Sequence, residues 1–430
     1  MKKRGGSMTF KIYTLGCKVN AYESNVMAEK MQKSGFKSVP IEEHADIIII
    51  NTCTVTNTAD SKSMKMIHKA KKEGSIVVAC GCMVQNKQKI EDVDILIGNV
   101  GKSKIDEIIS KYLEEKQAIS DISSVMDISF EKMELDNFNK TRAFVKIQDG
   151  CNNFCSYCII PYARGSVRSK KREDVLHEIT TLINNGHEEI VLTGIHTGHY
   201  GEDNENYKFP DLLKDILKIK GLKRLRISSI EVTELNEEFL EVLKENPILV
   251  DHMHIPLQSG CDKTLKDMNR KYNMQYYKNK IETIRKIRPN ISITTDLIVG
   301  FPNETEDDFK QTCESLKEIR FSKIHVFPYS RRKGTVADSM DHQIDEKIKK
   351  ERVRKVMEIS KELEIEYMKK FINKTLEFIP ETEKGEYWIG HTGNYLLIKT
   401  LASNTPFNHQ EKNVKISKIE YPYAIGILTK

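Results

Sequence analysis

The sequence predicts an α/β chain in three parts: an N-terminal parallel-sheet α/β domain, a partial (β/α)6 barrel, and a small antiparallel β-barrel at the C-terminus. Three observations predict it. Short apolar runs alternate with amphipathic helical stretches from Phe10 to about Tyr112. The alternation resumes from Ala143 to Tyr329, and beyond a long charged helix the period shortens to that of brief strands. A length of 430 residues suits two to four domains at roughly one per 150 residues. With 39% hydrophobic and 30% charged residues the chain is globular rather than disordered.

In the first part, Phe10–Leu15, Ile47–Ile50, Ile76–Ala79 and Ile95–Ile97 read as buried strands. Tyr22–Ser34 and Thr58–Glu73 read as helices, with Val26, Met27 and Met31 on one face of the first. Strand–helix–strand alternation implies right-handed crossovers and a parallel sheet. Residues Ser120 to Lys140 are acidic and weakly periodic, as a linker would be. In the second part the expected strands are Ala143–Ile147, Ile190–Thr193, Leu225–Ser228, Val250–Ile255, Ile291–Asp296 and Ile324–Phe327. Helices are expected over Asp174–Asn185, Glu234–Glu245, Met274–Ile287 and Thr305–Ile319. Six units are too few for a closed eight-unit barrel. Asp345 to Phe371 carries Ile348, Val353, Val356, Ile359 and Leu363 at helical spacing. Five short β-type runs follow, at Thr375–Ile379, Tyr387–His391, Tyr395–Thr400, Val414–Ile419 and Ala424–Leu428.

No apolar run approaches the ~20 residues of a membrane span, Ile47–Ile50 and its flanks included. The basic leader Met1–Ser7, ahead of Met8, has no apolar stretch behind it, so no secretory signal is expected. These features predict a cytoplasmic protein with no membrane partner. Lys plus Arg total 68 against 62 Asp plus Glu, a net +6 that permits contact with a polyanion without demanding it. Nine cysteines in such a chain point to metal binding or catalysis rather than disulfides.

Cys151, Cys155 and Cys158 stand in DGCNNFCSYCIIPYARG, just past the first strand of the second part. Three thiolates at this spacing suit a cubane iron–sulfur cluster, which normally takes four ligands, and no fourth Cys or His lies nearby. The iron left open can chelate S-adenosylmethionine, whose reductive cleavage yields a 5′-deoxyadenosyl radical. A structural zinc site wants a fourth ligand, and a thioredoxin-like Cys155/Cys158 pair leaves Cys151 unexplained. A second set stands at strand ends: Cys17 in TLGCKVN, Cys53 in IIIINTCTVTN, and Cys80 and Cys82 in IVVACGCMVQ. The C-terminal ends of parallel strands share one edge, so residues some thirty apart converge there. Cys82 is the expected third ligand, since Cys80 belongs to the strand; glycine precedes both Cys17 and Cys82 and lets backbone approach a bulky group. A buried cysteine is otherwise an ordinary core residue, the reading given to Cys261 and Cys313.

At these residues the chain resembles the radical S-adenosylmethionine methylthiotransferases, through CSYCIIPYARG, LTGIHTGHYG, RLRISSIE, HIPLQSG, TTDLIVGFPNETEDDF and HVFPYSRRKGT. The resemblance implies a methylthiotransferase N-terminal domain over 8–118, a radical core over 137–368 and an RNA-binding TRAM module over 369–430. It implies two [4Fe-4S] clusters, one on Cys17, Cys53 and Cys82 and one on Cys151, Cys155 and Cys158, with S-adenosylmethionine as cofactor. TLGCKVN and NTCTVTNTADSKS resemble the type that acts on N6-threonylcarbamoyladenosine in tRNA, next to the anticodon, adding sulfur and methyl at C2 of the adenine. That implies tRNA as substrate, a reductant such as flavodoxin or ferredoxin, and a sulfur donor the sequence leaves open. Isopentenyladenosine tRNA and a ribosomal-protein aspartate are the alternative substrates; a non-catalytic metal-containing RNA-binding protein is the alternative class.

The resemblance also suggests cofactor contacts at Tyr157, Gly194, Ser228, Ser229, Glu231, Gln258 and Asp296, against the alternative that each merely packs or ends a strand. His252 and His254 read as structural. Arg164, Arg168, Lys170, Lys171 and Arg172, and Arg331 to Lys333, are expected either on a solvated face or on phosphates. The tail, with seven Lys and six Glu from Phe371 onward, is nearly neutral. Its aromatics Tyr387, Trp388, Tyr395 and Phe407 serve either base stacking or the barrel's core.

Overall fold

The computed structural model describes residues 7–126, 128–204, 206–402 and 406–429. The leader therefore lies, apart from Ser7, outside the described residues. The N-terminal part runs β1 (Thr9–Thr14), α1 (Lys18–Lys33), β2 (Lys37–Ser38), β3 (Ile47–Thr52), α2 (Asn57–Lys72), β4 (Ile76–Gly81), α3 (Cys82–Lys87), β5 (Ile95–Ile97), α4 (Ile105–Glu115) and β6 (Ile119–Asp121). All six strands pair in parallel in the order β2-β1-β3-β4-β5-β6. Alternation along β3 sends Ile47 and Ile49 to one face, with Met27, Met31, Ile105 and Ile109 of α1 and α4. Ile48 and Ile50 go to the other, with Ile67, Ala70, Met83 and Val84 of α2 and α3.

The stretch read as a linker is instead built in. Ile119–Asp121 forms the sheet's last strand, and Met133, Leu135 and Phe138 are buried in the core of the second part. Sparse apolar residues in an extended segment leave no period to read. The chain then forms β7 (Arg142–Lys146), β8 (Gln148–Asp149), α5 (Ile160–Arg164), β9 (Arg168–Ser169), α6 (Arg172–Asn184), β10 (Glu189–Thr193), α7 (Phe209–Ile216), β11 (Arg224–Ile227), α8 (Glu237–Glu245), β12 (His252–His254), α9 (Asp262–Asp267), α10 (Met274–Ile287), β13 (Ser292–Val299), α11 (Glu306–Ile319) and β14 (Lys323–Pro328). Strands β7, β10 and β11 form one parallel sheet and β12, β13 and β14 another. A parallel bridge between Leu225 and Leu249 joins them into an open barrel of six strands.

Helix α12 (Glu346–Lys369) leads to β15 (Thr375–Lys384), β16 (Tyr387–Thr392), β17 (Leu397–Leu401), β18 (Lys412–Glu420) and β19 (Tyr423–Leu428), which close in the order β15-β16-β17-β19-β18. Four of its pairings are antiparallel and β17–β19 is parallel. Tyr367, Met368 and Phe371 cap its core of Phe378, Ile398, Val414 and Ile416. Tyr395 reaches back to the six-strand barrel, stacked on His252 at 4.6 Å with the Arg226 guanidinium 4.8 Å above its ring. Among the described residues no helix is long and apolar enough to cross a membrane.

Candidate active site

The C-terminal ends of β1, β3 and β4 deliver Cys17, Cys53 and Cys82 to one edge. Cys17 caps α1, Cys53 follows β3 directly, and Cys82 opens α3 behind Gly81, whose φ is +98°. Gly16 has φ +100°, and a Cβ there would sit 2.7 Å from the Cβ and 2.8 Å from the Sγ of Cys53. Only glycine tolerates both that backbone and that approach. Asn20 fastens the two loops, donating to the carbonyls of Leu15 at 2.7 Å and Thr52 at 3.0 Å. Its Oδ1 lies 3.8 Å from Cys17 Sγ and accepts from Arg164 Nη2 at 2.9 Å. Cys82 Sγ accepts from Arg164 Nε at 3.3 Å and from Asn99 Nδ2 at 3.5 Å. Burial pushes the Cys53 thiol up to about 11, with Cys82 and Cys17 adding to the rise. Cys80 faces the other way, its sulfur 3.9 Å from Met27 Sδ in the apolar core.

The second trio hangs on the loop between β8 and α5. Cys151 N–H donates to the Gly165 carbonyl at 3.0 Å and Cys158 N–H to that of Cys155 at 2.9 Å. Ser156 anchors the loop to α9, its hydroxyl donating to Asp267 at 2.6 Å. Burial pushes the Cys151 and Cys158 thiols up to about 12. The three cysteines line a cavity of about 250 Å³ with Tyr157, Ser229, Glu231, Gln258 and Asp296. Gly194 and Ser228 do not line it. A Cβ on Gly194 would meet Gln148 Oε1 at 2.8 Å, and Ser228 is buried with its hydroxyl 3.3 Å from that of Thr197.

The sequence reading missed Arg270 and His196. Arg270 donates to Cys155 Sγ at 3.3 Å and ion-pairs with Glu231. His196 Nδ1 lies 3.7 Å from Cys151 Sγ, while its Nε2 faces Glu234 and its ring stacks on His199 at 3.6 Å. Neither residue lies near this trio in sequence, so only the fold brings them together. The reading of His252 and His254 as structural agrees with their contacts to Thr294 Oγ1 at 3.2 and 2.9 Å; His254 also faces Asp296 at 3.2 Å.

The basic run is neither a solvated face nor a phosphate cradle over most of its length. Arg164, Arg168 and Lys170 are buried, held by Glu23, Asp149 and Glu178, and only Lys171 and Arg172 are exposed. Carboxylates distant in sequence make that pattern, which no local period reveals. Arg332 is likewise buried, donating to Thr54 Oγ1 at 2.7 Å and pairing with Asp60 at 2.8 Å. Arg331 and Lys333 stay at the surface.

These links set the two trios at one seam. Thr54, beside Cys53, is tied to the end of β14, and Asn57 N–H donates to Ser330 Oγ at 3.0 Å. Asn99 joins Cys82 to the Ala163 carbonyl of α5 at 2.7 Å. The donor chemistry fits clusters better than single ions. Tetrahedral zinc holds thiolates about 3.8 Å apart at 2.3 Å per bond. Yet the sole set of three His, Cys, Asp or Glu ligand atoms within 4.8 Å of one another, among the described residues, is His196, His199 and Glu234. Neither sulfur trio is drawn together within that distance, so neither is closed around a single ion.

An open six-strand parallel barrel with a Cys-x3-Cys-x2-Cys loop at its mouth defines a radical S-adenosylmethionine enzyme, and the model of the Radical SAM superfamily matches residues 145–316. The family described as "Uncharacterized protein family UPF0004" matches residues 9–98. Threonylcarbamoyladenosine tRNA methylthiotransferase MtaB of Bacillus subtilis is 42% identical over 97% of this chain and 96% of its own length. The tRNA-2-methylthio-N(6)-dimethylallyladenosine synthase of Clostridium tetani is 36% identical over 87% and 86%. A solved structure of the radical S-adenosylmethionine methyltransferase TsrM from Kitasatospora setae, 13% identical, shares the fold at a TM-score of 0.55 over 76% of each chain. The chain belongs to the tRNA methylthiotransferase family, in its threonylcarbamoyladenosine type.

Proposed function

We propose that this protein replaces the C2 hydrogen of N6-threonylcarbamoyladenosine, next to the anticodon of tRNA, with a methylthio group. The observation that carries the reading is the convergence at one seam of a three-cysteine sheet edge and a three-cysteine loop. We assign Cys151, Cys155 and Cys158 to one [4Fe-4S] cluster and Cys17, Cys53 and Cys82 to the other, each with one iron left free of protein ligands. When bound, the first supplies the electron that cleaves S-adenosylmethionine, and the second presents sulfur to an adenine carbon that acid–base chemistry cannot activate.

The chain's own residues do the positioning. Glu231, Gln258 and Asp296 offer acceptors to the cofactor's ammonium and ribose from the cavity wall, and Tyr157 offers a ring beside the adenine. Arg270 holds Glu231 in place while donating to Cys155. In the tail, Trp388 is fully buried and Tyr395 serves the interface with the barrel, whereas Tyr387 is exposed with Lys399 4.1 Å above its ring. Tyr387 and Lys399 are the candidates for RNA contact there. We further propose that the enzyme works in the cytoplasm, where tRNA is modified, with a reductant such as flavodoxin or ferredoxin.

Mass spectrometry of nucleosides from total tRNA tests the reading. A strain lacking the gene should lose 2-methylthio-N6-threonylcarbamoyladenosine and retain the unthiolated nucleoside. If the thiolated nucleoside persists, the assignment is wrong.

A further inference from the structure

Arg164 lies on α5, six positions past Cys158, yet its guanidinium is buried wholly against the N-terminal part. Nη1 donates to Glu23 at 2.9 Å and Asp149 at 3.1 Å, Nη2 to Asn20 at 2.9 Å, and Nε to Cys82 Sγ at 3.3 Å. The same two carboxylates receive three more cations. Lys102 pairs with Glu23 at 2.5 Å, Lys146 with Glu23 at 2.9 Å and Asp149 at 2.6 Å, and Arg168 with Asp149 at 3.6 Å. No side chain of the six is more than 8% exposed. Burial alone would neutralise Glu23, but Arg164, Lys102 and Lys146 outweigh it and hold its pKa well below the usual carboxylate range.

Four buried cations against two carboxylates leave two positive charges sealed from water. Uncompensated buried charge is expensive, so an anion must face them. The surplus ends at Cys82: Arg164 Nε touches its sulfur, Asn99 Nδ2 donates to it at 3.5 Å, and Lys102 fixes Asn99 through Oδ1 at 3.2 Å. A cubane held by three thiolates is anionic, and an anionic sulfur at its open iron adds to that charge.

We infer that this buried cationic surplus is the electrostatic counterpart of the cluster on Cys17, Cys53 and Cys82, and that Arg164 is the positioning residue that raises the cluster's reduction potential through its Nε–H bond to Cys82. The inference rests on the ligand assignment proposed above. Donors to a ligand sulfur and nearby positive charge withdraw electron density and favour the reduced cluster. The fork of Arg164 spreads its three nitrogens over Glu23, Asp149, Asn20 and Cys82, which a lysine cannot reproduce. Because α5 continues directly from the radical loop, the same contact ties that loop's order to the filling of the N-terminal site.

The test uses full-length protein carrying Cys151→Ala, Cys155→Ala and Cys158→Ala, reconstituted anaerobically, so that only the N-terminal site holds iron. Iron is counted, the cluster is titrated by electron paramagnetic resonance against potential, and thermal unfolding of the iron-free chains reports the fold. With Arg164 intact, about four irons per chain are expected; a chain without iron would overturn the ligand assignment and this inference with it. Arg164→Gln should shift the reduction equilibrium at least tenfold toward the oxidised cluster, about 59 mV more negative for one electron. Arg164→Lys, which keeps the charge and loses the Nε donor, should shift it in the same direction by less. Should Arg164→Gln not fold, the lysine variant decides by the same measurement. Iron-loaded variants whose midpoint matches that of the Arg164 protein overturn the role of Arg164 while leaving the ligand assignment standing.

Discussion

Replacing Gly16 by alanine strikes the N-terminal trio without touching a thiol. The backbone at φ +100° disfavours any side chain by about 1–3 kcal/mol. The new methyl would stand 2.7 Å from Cys53 Cβ and 2.8 Å from its Sγ, whereas carbon atoms rest at about 3.5–4.0 Å. One loop must therefore yield by about 1 Å, an overpacking of about 1–3 kcal/mol. The sum, about 4 kcal/mol, should lower the melting temperature by roughly 10 °C at about 2–4 °C per kcal/mol. Cluster ligation tolerates errors of only about 0.2 Å per bond, so the iron count should fall from about eight to about four per chain. Formation of 5′-deoxyadenosine should continue while thiolation stops. Gly35→Ala is the control: its φ is +89°, but nothing lies within 4 Å of an added Cβ, so only the backbone cost applies and all iron should remain. A Gly16→Ala enzyme with full iron and undiminished thiolation would refute the packing argument.

The remaining expectations separate the sites in other ways. Cys155→Ala should abolish 5′-deoxyadenosine release and keep about four irons, whereas Cys53→Ala should leave cofactor cleavage measurable and end thiolation; loss of all iron from both would contradict independent sites. Cys80→Ala should cost about 1 kcal/mol of stability with iron unchanged, since its sulfur packs on Met27; a halved iron count would make it the ligand in place of Cys82. His199 is held above its ordinary pKa, because burial lowers it but Glu234 and Glu202 outweigh that. A raised folded pKa stabilises fully below the unfolded value near 6.5 and fades as pH climbs through the folded one. His199→Asn should therefore cost more stability at pH 6 than at pH 8.5, and an equal cost at both would refute the pairing. Tyr387→Ala should weaken tRNA binding severalfold in a filter assay, at about 1–3 kcal/mol per stacked base, with uncoupled cofactor cleavage intact; unchanged affinity would exclude that ring from the RNA surface.

What the sequence made legible follows from what is local. The strand ends bearing Cys17, Cys53 and Cys82 were readable because β-branched runs such as Ile47–Ile50 mark parallel strands, and topology then puts their ends on one edge. That Cys80 turns away from the other two thiols needed only the alternation of a strand. Helix Met274–Ile287 was legible to the residue, its cap being Asn273, which accepts from Tyr276 N–H. The electrostatics were not legible. Glu23 meets Arg164 across 141 positions and Arg332 meets Asp60 across 272, and no period records such pairs. The same basic letters that suggest a nucleic-acid face in a run became buried braces once the opposing carboxylates were in place.

Those braces explain how an incomplete barrel becomes a working site. Six strands leave a gap beside β7, and α1 fills it: Tyr22 and Val26 enter the barrel's core while Met27 and Met31 pack on the N-terminal sheet. Tyr22 Oη lies 2.8 Å from both Glu178 Oε1 and the Met133 carbonyl oxygen, fixing the helix against α6 and the stretch that precedes the barrel. Between its two apolar stripes the helix carries Asn20 and Glu23, which grip Arg164, and at its N-terminal end stands Cys17. Closing the barrel and placing the first cysteine of the N-terminal trio are thus one packing event. A sheet free to drift on a flexible tether could not hold its sulfur edge in register with the mouth of the barrel. A sheet whose helix is also the barrel's missing wall has no such freedom.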